Sequence, residues 1–210
     1  MNQDCWGLVS DVHGNLPALE RGLAVLQGAG AGRLAFLGDY LGRGDSDGCV
    51  RAIRRVAEVA ILGNRDLDWQ ARVAPETRAW VLGLPRLVQV GRLLLAHGDA
   101  RLTPRLSTTE VGRGFERGWT EMESAQADVF AFGHSHHARC WRKSSRQAAP
   151  EPLAGEVRIE AGFRYLVNVG TTGLPFPGKG GPSVAVVDFA AGAIRHLALD
   201  AESDLDVDLD

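Results

Sequence analysis

Short apolar runs and helical periods alternate along this chain. Trp6-Gly7-Leu8-Val9 has the length of a buried strand and stops at Ser10-Asp11. Leu16, Leu19, Leu23 and Leu26 then recur at three- and four-residue intervals, which predicts one apolar helix face, with Pro17 suited to the first turn. The cluster Gly28-Ala29-Gly30-Ala31-Gly32 is expected to stop that helix. A second run, Leu34-Ala35-Phe36-Leu37, ends at Gly38-Asp39; a helix is predicted over 48–57; a third run, Val59-Ala60-Ile61-Leu62, ends at Gly63-Asn64.

A further helix is predicted over 76–82. Leu87-Val88-Gln89-Val90 and Arg92-Leu93-Leu94-Leu95-Ala96 flank a lone Gly91 and read as a tight hairpin ending at His97-Gly98. Residues 109–125 carry a helical pattern weakened by Gly112, Gly114 and Gly118. Val129-Phe130-Ala131-Phe132 is another buried run and ends at Gly133-His134. Residues 143–155 are polar and contain proline, which predicts a surface loop. Three more β-runs are predicted over 157–169, 183–189 and 193–199. A βαβαβ opening followed by β-rich sequence points to a layered α/β or α+β sandwich and not to an all-parallel barrel.

Composition narrows the picture only slightly. The 210 residues suffice for one domain, expected over 1–199. Residues 200–210 carry six acidic residues and no basic one, which predicts a disordered tail. A formal net charge of −3 gives no electrostatic case for bulk nucleic-acid binding. Cys5, Cys49 and Cys140 form no close pair and no zinc-knuckle spacing, which fits a reducing compartment. Without a signal-like N-terminus or a membrane-length apolar run, the expected location is the cytoplasm.

The chemistry sits where the apolar runs end. Asp11 and His13 follow the first run, Asp39 the second, Asn64 the third, His97 the hairpin, and His134 and His136 the run after it. Open α/β sheets place their sites beyond the carboxyl ends of strands, so five remote segments would meet at one rim. A lone strand-end His is ordinarily incidental, and Asp11 or Asp39 alone would read as a turn or helix cap. Two His-containing pairs spaced two residues apart change that reading, because in extended backbone such residues face the same side. Two Asp, one Asn and four His suit two borderline divalent cations: manganese first, with iron, nickel, zinc or magnesium as alternatives. A water between two such cations is acidic enough to be hydroxide near neutral pH, and the net positive site would attract a phosphoryl group.

The strings SDVHGN (10–15), GDYLGRG (38–44), GNRD (63–66), HGD (97–99) and GHSH (133–136) resemble, in order, the motif series of the calcineurin-like metallophosphoesterases. SDVHGNLPALERGL is similar to a bacterial subgroup of phosphodiesterase and diadenosine-tetraphosphatase-like enzymes, and NVGTTGLP (168–175) to that subgroup's closing element. The resemblance runs from about Gly7 to Asp188. It implies a four-layer αββα sandwich of two mixed sheets with a dinuclear site on strand-end loops. It also implies Asp11, His13 and His136 around one metal, Asn64, His97 and His134 around the other, and Asp39 bridging them. The implied catalytic group is Asp39, Asn64, Arg65 and Asp66, acting on a small phosphoester or nucleotide.

One position departs from the family pattern. The family often reads GNHD, and its His is the usual candidate for protonating the leaving group; here Arg65 stands in that place. A guanidinium cannot donate a proton near neutrality but can clamp a phosphate oxygen. Four other residues stay open between two roles. Asp66 either pairs with Arg65 or caps the following turn. Asn15 reaches substrate phosphate or caps the helix beginning near Leu16. Arg43 and Lys179 border the site or are solvated surface charges. His137 reads as a loop residue near the pocket mouth and His196 as an ordinary strand residue. Trp119 and Trp141 pack in the core or stack on a nucleobase. The other function classes are a phosphomonoesterase of the same fold and a catalytically silent interaction scaffold, though scaffolds usually lose ligands and here all seven positions are filled. A dinucleotide-binding domain is disfavoured, because the first turn has no G-x-G-x-x-G.

Overall fold

Leu93 and Leu95 face one way and Leu94 and Ala96 the other, and all four are buried. A strand covered on both faces must lie inside a stack of layers. The computed structural model of the chain describes residues 2–98 and 113–200 and shows how that stack is built. The chain opens with β1 (Asn2–Val9), α1 (Leu16–Gly28), β2 (Ala31–Phe36), α2 (Ser46–Val56) and the short β3 (Val59–Ala60). Next come α3 (Asn64–Trp69), a single 3-10 turn over Gln70–Arg72, α4 (Pro75–Leu82) and the hairpin β4 (Leu87–Val90) and β5 (Leu93–Ala96). After α5 (Arg113–Ala125) the remainder is β: β6 (Val129–Phe132), β7 (Arg139–Ser144), β8 (Glu151–Leu153), β9 (Val157–Arg158), β10 (Phe163–Asn168), β11 (Ser183–Asp188) and β12 (Ala193–Ala198).

The strands form two mixed sheets, ordered β3-β2-β1-β11-β12-β9 and β4-β5-β6-β10-β7-β8. In the first, β1, β2 and β3 are parallel; in the second, β5, β6 and β10 are parallel. Period-2 alternation sorts the side chains into three cores. Trp6, Leu8, Ala35 and Leu37 meet Leu93, Leu95, Val129, Ala131, Tyr165 and Val167 between the sheets. On the outer face of the first sheet, Val9, Phe36, Val184 and Val186 pack on Leu19 and Leu26 of α1 and on Val50 and Ile53 of α2. On the outer face of the second, Leu94, Phe130, Phe132 and Leu166 pack on Trp119 and Met122 of α5. The layers therefore run α, β, β, α, as the family resemblance implied. Each fully buried large apolar side chain contributes about 1.5–3 kcal/mol, so every layer boundary carries several such increments.

Local rules fix the helix ends. Asn15 Oδ1 accepts from the Ala18 amide and Pro17 sits in the first turn of α1. Asp45 Oδ1 accepts from the Gly48 amide, so α2 starts at Ser46, two residues before the predicted start at 48. The glycine cluster stops α1 as expected, but its last two members, Ala31 and Gly32, already belong to β2.

Three further expectations are corrected. Residues 143–155 are not simply a loop, because β7 and β8 pair antiparallel there as an edge hairpin. The run over 157–169 is two strands in different sheets: β9 pairs with β12 and β10 with β6 and β7, with Gly162 at a positive φ of 84° in the turn between. Helix α3 had no prediction at all. The first residues of the helix predicted over 109–125, and the tail beyond Asp200, lie outside the described residues. The three cysteines are buried and unpaired. No helix among the described residues is long and apolar enough to cross a membrane.

Candidate metal centre

The segments leaving the parallel strands are tied to one another by backbone hydrogen bonds. Asp11 and His13 amides donate to Gly38 and Asp39 carbonyls, at 3.1 and 2.9 Å, and the Gly133 amide donates to the His97 carbonyl at 2.9 Å. Across the two sheets, the His134 amide donates to Asp11 Oδ2 at 2.9 Å. Close approach is possible because key positions lack a Cβ. One at Gly133 would fall on the Ser10 hydroxyl and the Asp11 carboxylate, and one at Gly63 on the Asp39 amide and carboxylate.

All seven candidate ligands converge at this rim. Asp11 Oδ1 lies 3.1 Å from His136 Nε2 and 3.8 Å from His13 Nε2, and the two imidazole nitrogens are 3.2 Å apart. Asn64 Oδ1 lies 3.0 Å from His97 Nε2 and 2.9 Å from His134 Nδ1, which are themselves 3.3 Å apart. Asp39 Oδ2 stands between the two groups, 3.2 Å from His97 Nε2 and 3.9 Å from His13 Nε2. Cation–donor bonds of about 2.0–2.2 Å set neighbouring donors about 3 Å apart, which matches these edges. Among the described residues, the acidic and imidazole groups fall into two ligand clusters, Asp11/His13/His136 and Asp11/Asp39/His97.

Two features fit a donor set that takes cations. Asp11 Oδ1 is fully buried and points into the cluster, where its neighbours are the His136 and His13 imidazole nitrogens, whereas Asp11 Oδ2 takes the Ser10 hydroxyl at 2.6 Å and the His134 amide. A buried carboxylate oxygen left unpaired is costly unless something positive completes it. The second feature is backbone strain. Six non-glycine residues have positive φ among the described residues, and five of them are Asp11, His13, Asp39, His134 and His136. Such conformations cost of order 1–3 kcal/mol each and gather where geometry serves function.

Protons are distributed accordingly. Burial alone would push the His97 imidazole down, but the Asp39 carboxylate against it and Asp11 behind raise it to about 10. His136 is also raised, burial being outweighed by Asp11. Burial pushes Asp11 up, yet the neighbouring His136 and His13 hold it well below the usual carboxylate range, and His97 does the same more mildly for Asp39. His134 is lowered, by burial and then by the charge on His97. His97 and His136 thus hold their protons more tightly than a free imidazole, and a cation bound to their ring nitrogens would have to displace those protons.

The sequence profile of the calcineurin-like phosphoesterase superfamily domain matches residues 6–192. The chain belongs to that superfamily. Phosphodiesterase YfcE of Escherichia coli (strain K12) is 31% identical over 140 residues, an alignment that takes in 60% of this chain and 66% of the relative's length, just short of two thirds. The metallophosphoesterase of Sphaerobacter thermophilus superposes with a TM-score of 0.74 at 22% identity, covering 96% of this chain and 90% of the other. Protein PH1004 of Pyrococcus horikoshii OT3 superposes with a TM-score of 0.62 at 12% identity, covering 95% and 89%. At these identities the structures speak for the fold. Family membership and the donor set together are those of a metallophosphoesterase fold with two candidate cation sites.

Around the donors of this calcineurin-like phosphoesterase, the open residues take definite places. Asp66 is buried and accepts from four backbone amides, those of Asp39, Tyr40, Leu41 and Gly63, at 2.8–3.1 Å. It thereby caps α3 and fixes the Asp39 loop, and it does not pair with Arg65, whose exposed guanidinium faces Asp68 at 3.4 Å. The Arg65 amide donates to Asp39 Oδ1 at 2.8 Å. Asn15 both caps α1 and donates from Nδ2 to the Gly173 carbonyl at 3.1 Å. Arg43 lies exposed between β2 and α2. Lys179 Nζ donates to the Ser135 carbonyl at 3.1 Å, inside the GHSH segment. His137 accepts from Arg139 at the surface, and His196 on β12 meets the Asn168 carbonyl at 2.7 Å. Trp119 and Trp141 are buried in the core under α5.

Sequence reasoning missed the supports. The His97 and His136 rings donate Nδ1–H to the Leu37 and Leu174 carbonyls, at 2.7 and 2.6 Å, which leaves each Nε2 facing the cluster. Thr171 donates to the Asp11 carbonyl, and buried Asn168 donates to the Gly133 carbonyl and the Ser135 hydroxyl. Their signal was the string NVGTTG, whose polar residues at the end of a buried run had no assigned partner.

Proposed function

We propose that the chain is a metal-dependent phosphodiesterase with Asp11, His13 and His136 around one divalent cation, Asn64, His97 and His134 around the other, and Asp39 shared between them. The observation that carries this reading is the meeting of seven donors from remote segments at one rim, in two groups of three with Asp39 between them. When bound, two such cations supply Lewis acidity that activates a water for in-line attack and offsets charge on the phosphoryl group. The chain's own residues hold the geometry. Leu37 and Leu174 carbonyls orient two imidazoles, and the Arg65 amide and Asp66 position Asp39. Asp66 acts through Asp39 and does not touch substrate.

The leaving group receives no proton from position 65, because a guanidinium stays charged at all working pH values. Esters whose leaving groups are stable as anions are therefore the expected substrates, and aryl or otherwise activated diesters should outrun alkyl monoesters. Manganese is the expected cation, the cytoplasm the expected location, and a small phosphoester or nucleotide the expected partner. Elemental analysis of the purified protein, combined with rates on bis-aryl and mono-aryl phosphates of graded leaving-group pKa, tests the reading. A steep dependence on leaving-group pKa with diester preferred supports it. Faster monoester turnover would make the protein a phosphomonoesterase, and no turnover with any divalent metal would make it a scaffold.

A further inference from the structure

The loop after β10 does more to His136 than accept a hydrogen bond. Phe176 lies flat on the His136 imidazole, with ring centroids 4.4 Å apart and planes 11° from parallel. Pro175 and Pro177 flank it and restrict the backbone that presents the ring. The loop is then folded back. The Lys179 amide donates to the Phe176 carbonyl at 3.1 Å, the Lys179 amine donates to the Ser135 carbonyl, and the same amine stands 5.7 Å from the Phe176 centroid. Residues 174–179 thus hold the segment carrying His134 and His136 at three points: Leu174 O, the Phe176 ring and Lys179 Nζ.

The stack answers a mechanical need. The His136 ring is fixed at Cβ by the chain and at Nδ1 by the Leu174 carbonyl, but a ring held along that line can still rock about it and swing Nε2 away from Asp11 Oδ1. A phenyl ring against its face blocks rocking to that side and shields the face from water. An imidazole that donates its electron pair to a cation becomes electron-poor, and such a ring stacks well on phenyl. By contrast, His97 is walled in by the two sheets and needs no such lid. We infer that Phe176 is a positioning residue for His136, and that the 174–179 loop sets how tightly the Asp11/His13/His136 cation is held while leaving the other cation unaffected.

This rests on the ligand assignment proposed above, and the test separates the two. The manganese-loaded full-length protein is mixed with a chromophoric chelator, and the number and rates of metal-release phases are measured for wild type, Phe176→Ala, Phe176→Leu, Phe176→Tyr and His136→Ala. Support for an oriented ligand is typically worth about 10–100-fold in metal affinity. Phe176→Ala and Phe176→Leu are expected to accelerate one release phase by about 10-fold or more and leave the other unchanged, while Phe176→Tyr keeps wild-type rates. Because Leu fills the space without a π face, a wild-type Leu variant overturns the stacking argument even if the Ala variant folds poorly. If His136→Ala loses one metal equivalent while Phe176→Ala releases both at wild-type rates, the inference fails and the ligand assignment stands. If His136→Ala still holds two equivalents, the assignment itself fails and the inference with it.

Discussion

The two donor groups are held in different ways. His97 is buried, its Nδ1–H answered by Leu37 at the end of the sheet core and its Nε2 boxed in by Asn64, Asp39 and His134. His136 hangs on a loop: its hydrogen bond goes to Leu174, its ring rests on half-buried Phe176, and His13 approaches it from the loop after β1. The His97 ligand is thus held by the packed strand ends, whereas the His136 ligand is held by contacts with the loops that carry His13, Leu174 and Phe176. Ligands built on strand ends come preorganised with the core, whereas those on loops need dedicated supports.

Asp39 belongs to both halves, so altering it should erase the distinction. Asp39→Asn removes the charge facing His97 and His13 while leaving an amide oxygen that can still accept from the Arg65 amide. Losing an outer partner typically costs 10–100-fold in metal affinity, so losing a shared ligand should cost more than about 100-fold for both equivalents, with activity gone. Titration of metal content against free manganese reads this directly. Retention of one tight equivalent would mean that Asp39 serves a single cation.

Asp66 is the next largest lever, and it acts through the Asp39 loop. Asp66→Ala strands four buried backbone amides that now share its two oxygens. Each buried donor left unsatisfied costs about 1–3 kcal/mol, so global stability should fall by at least about 3 kcal/mol even after waters fill part of the gap. Metal affinity should fall by about 10–100-fold through the released Asp39 loop. Denaturant melts and metal titration together check this, and a variant of normal stability would contradict the positioning role.

The protons of the metal-free protein extend the contrast to pH. His97 is raised from its ordinary 6.5 to about 10, so the folded state binds that proton more tightly than the unfolded chain. The stabilisation is fully present below about pH 6.5 and is lost as pH rises toward 10, with His136 acting in the same direction. Metal-free protein should therefore melt lower at pH 8.5 than at pH 7. That window lies above Asp66, which burial and then Asp39 push to about 6, and below the ordinary value of 9 at which the Cys49 and Cys140 thiols of the unfolded chain ionise. With saturating manganese the trend should flatten or reverse, because cation binding strengthens as competing protons leave. A parallel fall with and without metal would show that these imidazoles do not exchange protons for cations.

Much of this contrast was legible in the sequence, for a local reason. An apolar run followed at once by Asp, His or Asn is visible in a few residues, and β1, β2, β3, β5 and β6 all end that way. Supports that depend on distant partners were not legible. Nothing near Phe176 points to His136, and nothing near Asp66 announces that its carboxylate will collect amides from the loop after β2. Helix α3 escaped because six residues with only Leu67 and Trp69 apolar are too short to display a helical period. The break between β9 and β10 escaped because the two strands belong to different sheets, a choice made by pairing and not by composition. The β7–β8 hairpin escaped because a polar edge strand needs no apolar face.

The smallest expected effect concerns Arg65, where backbone and side chain do different work. Its amide holds Asp39 Oδ1, while its guanidinium lies exposed beside Asp68. Arg65→Ala keeps the amide, so metal content and stability should match wild type, and an exposed ion pair of this kind contributes at most about 1 kcal/mol. If the guanidinium swings to the phosphoryl group during turnover, KM for a diester should rise several-fold, by no more than about 10-fold, with the leaving-group dependence unchanged. Arg65→His is the sharper variant. It places a titratable group where this chain has a fixed cation, and should flatten the dependence of rate on leaving-group pKa by offering a proton to poor leaving groups. An unchanged slope in Arg65→His would mean that the side chain at this position does not reach the leaving oxygen, and that the preference for activated esters originates elsewhere at the rim.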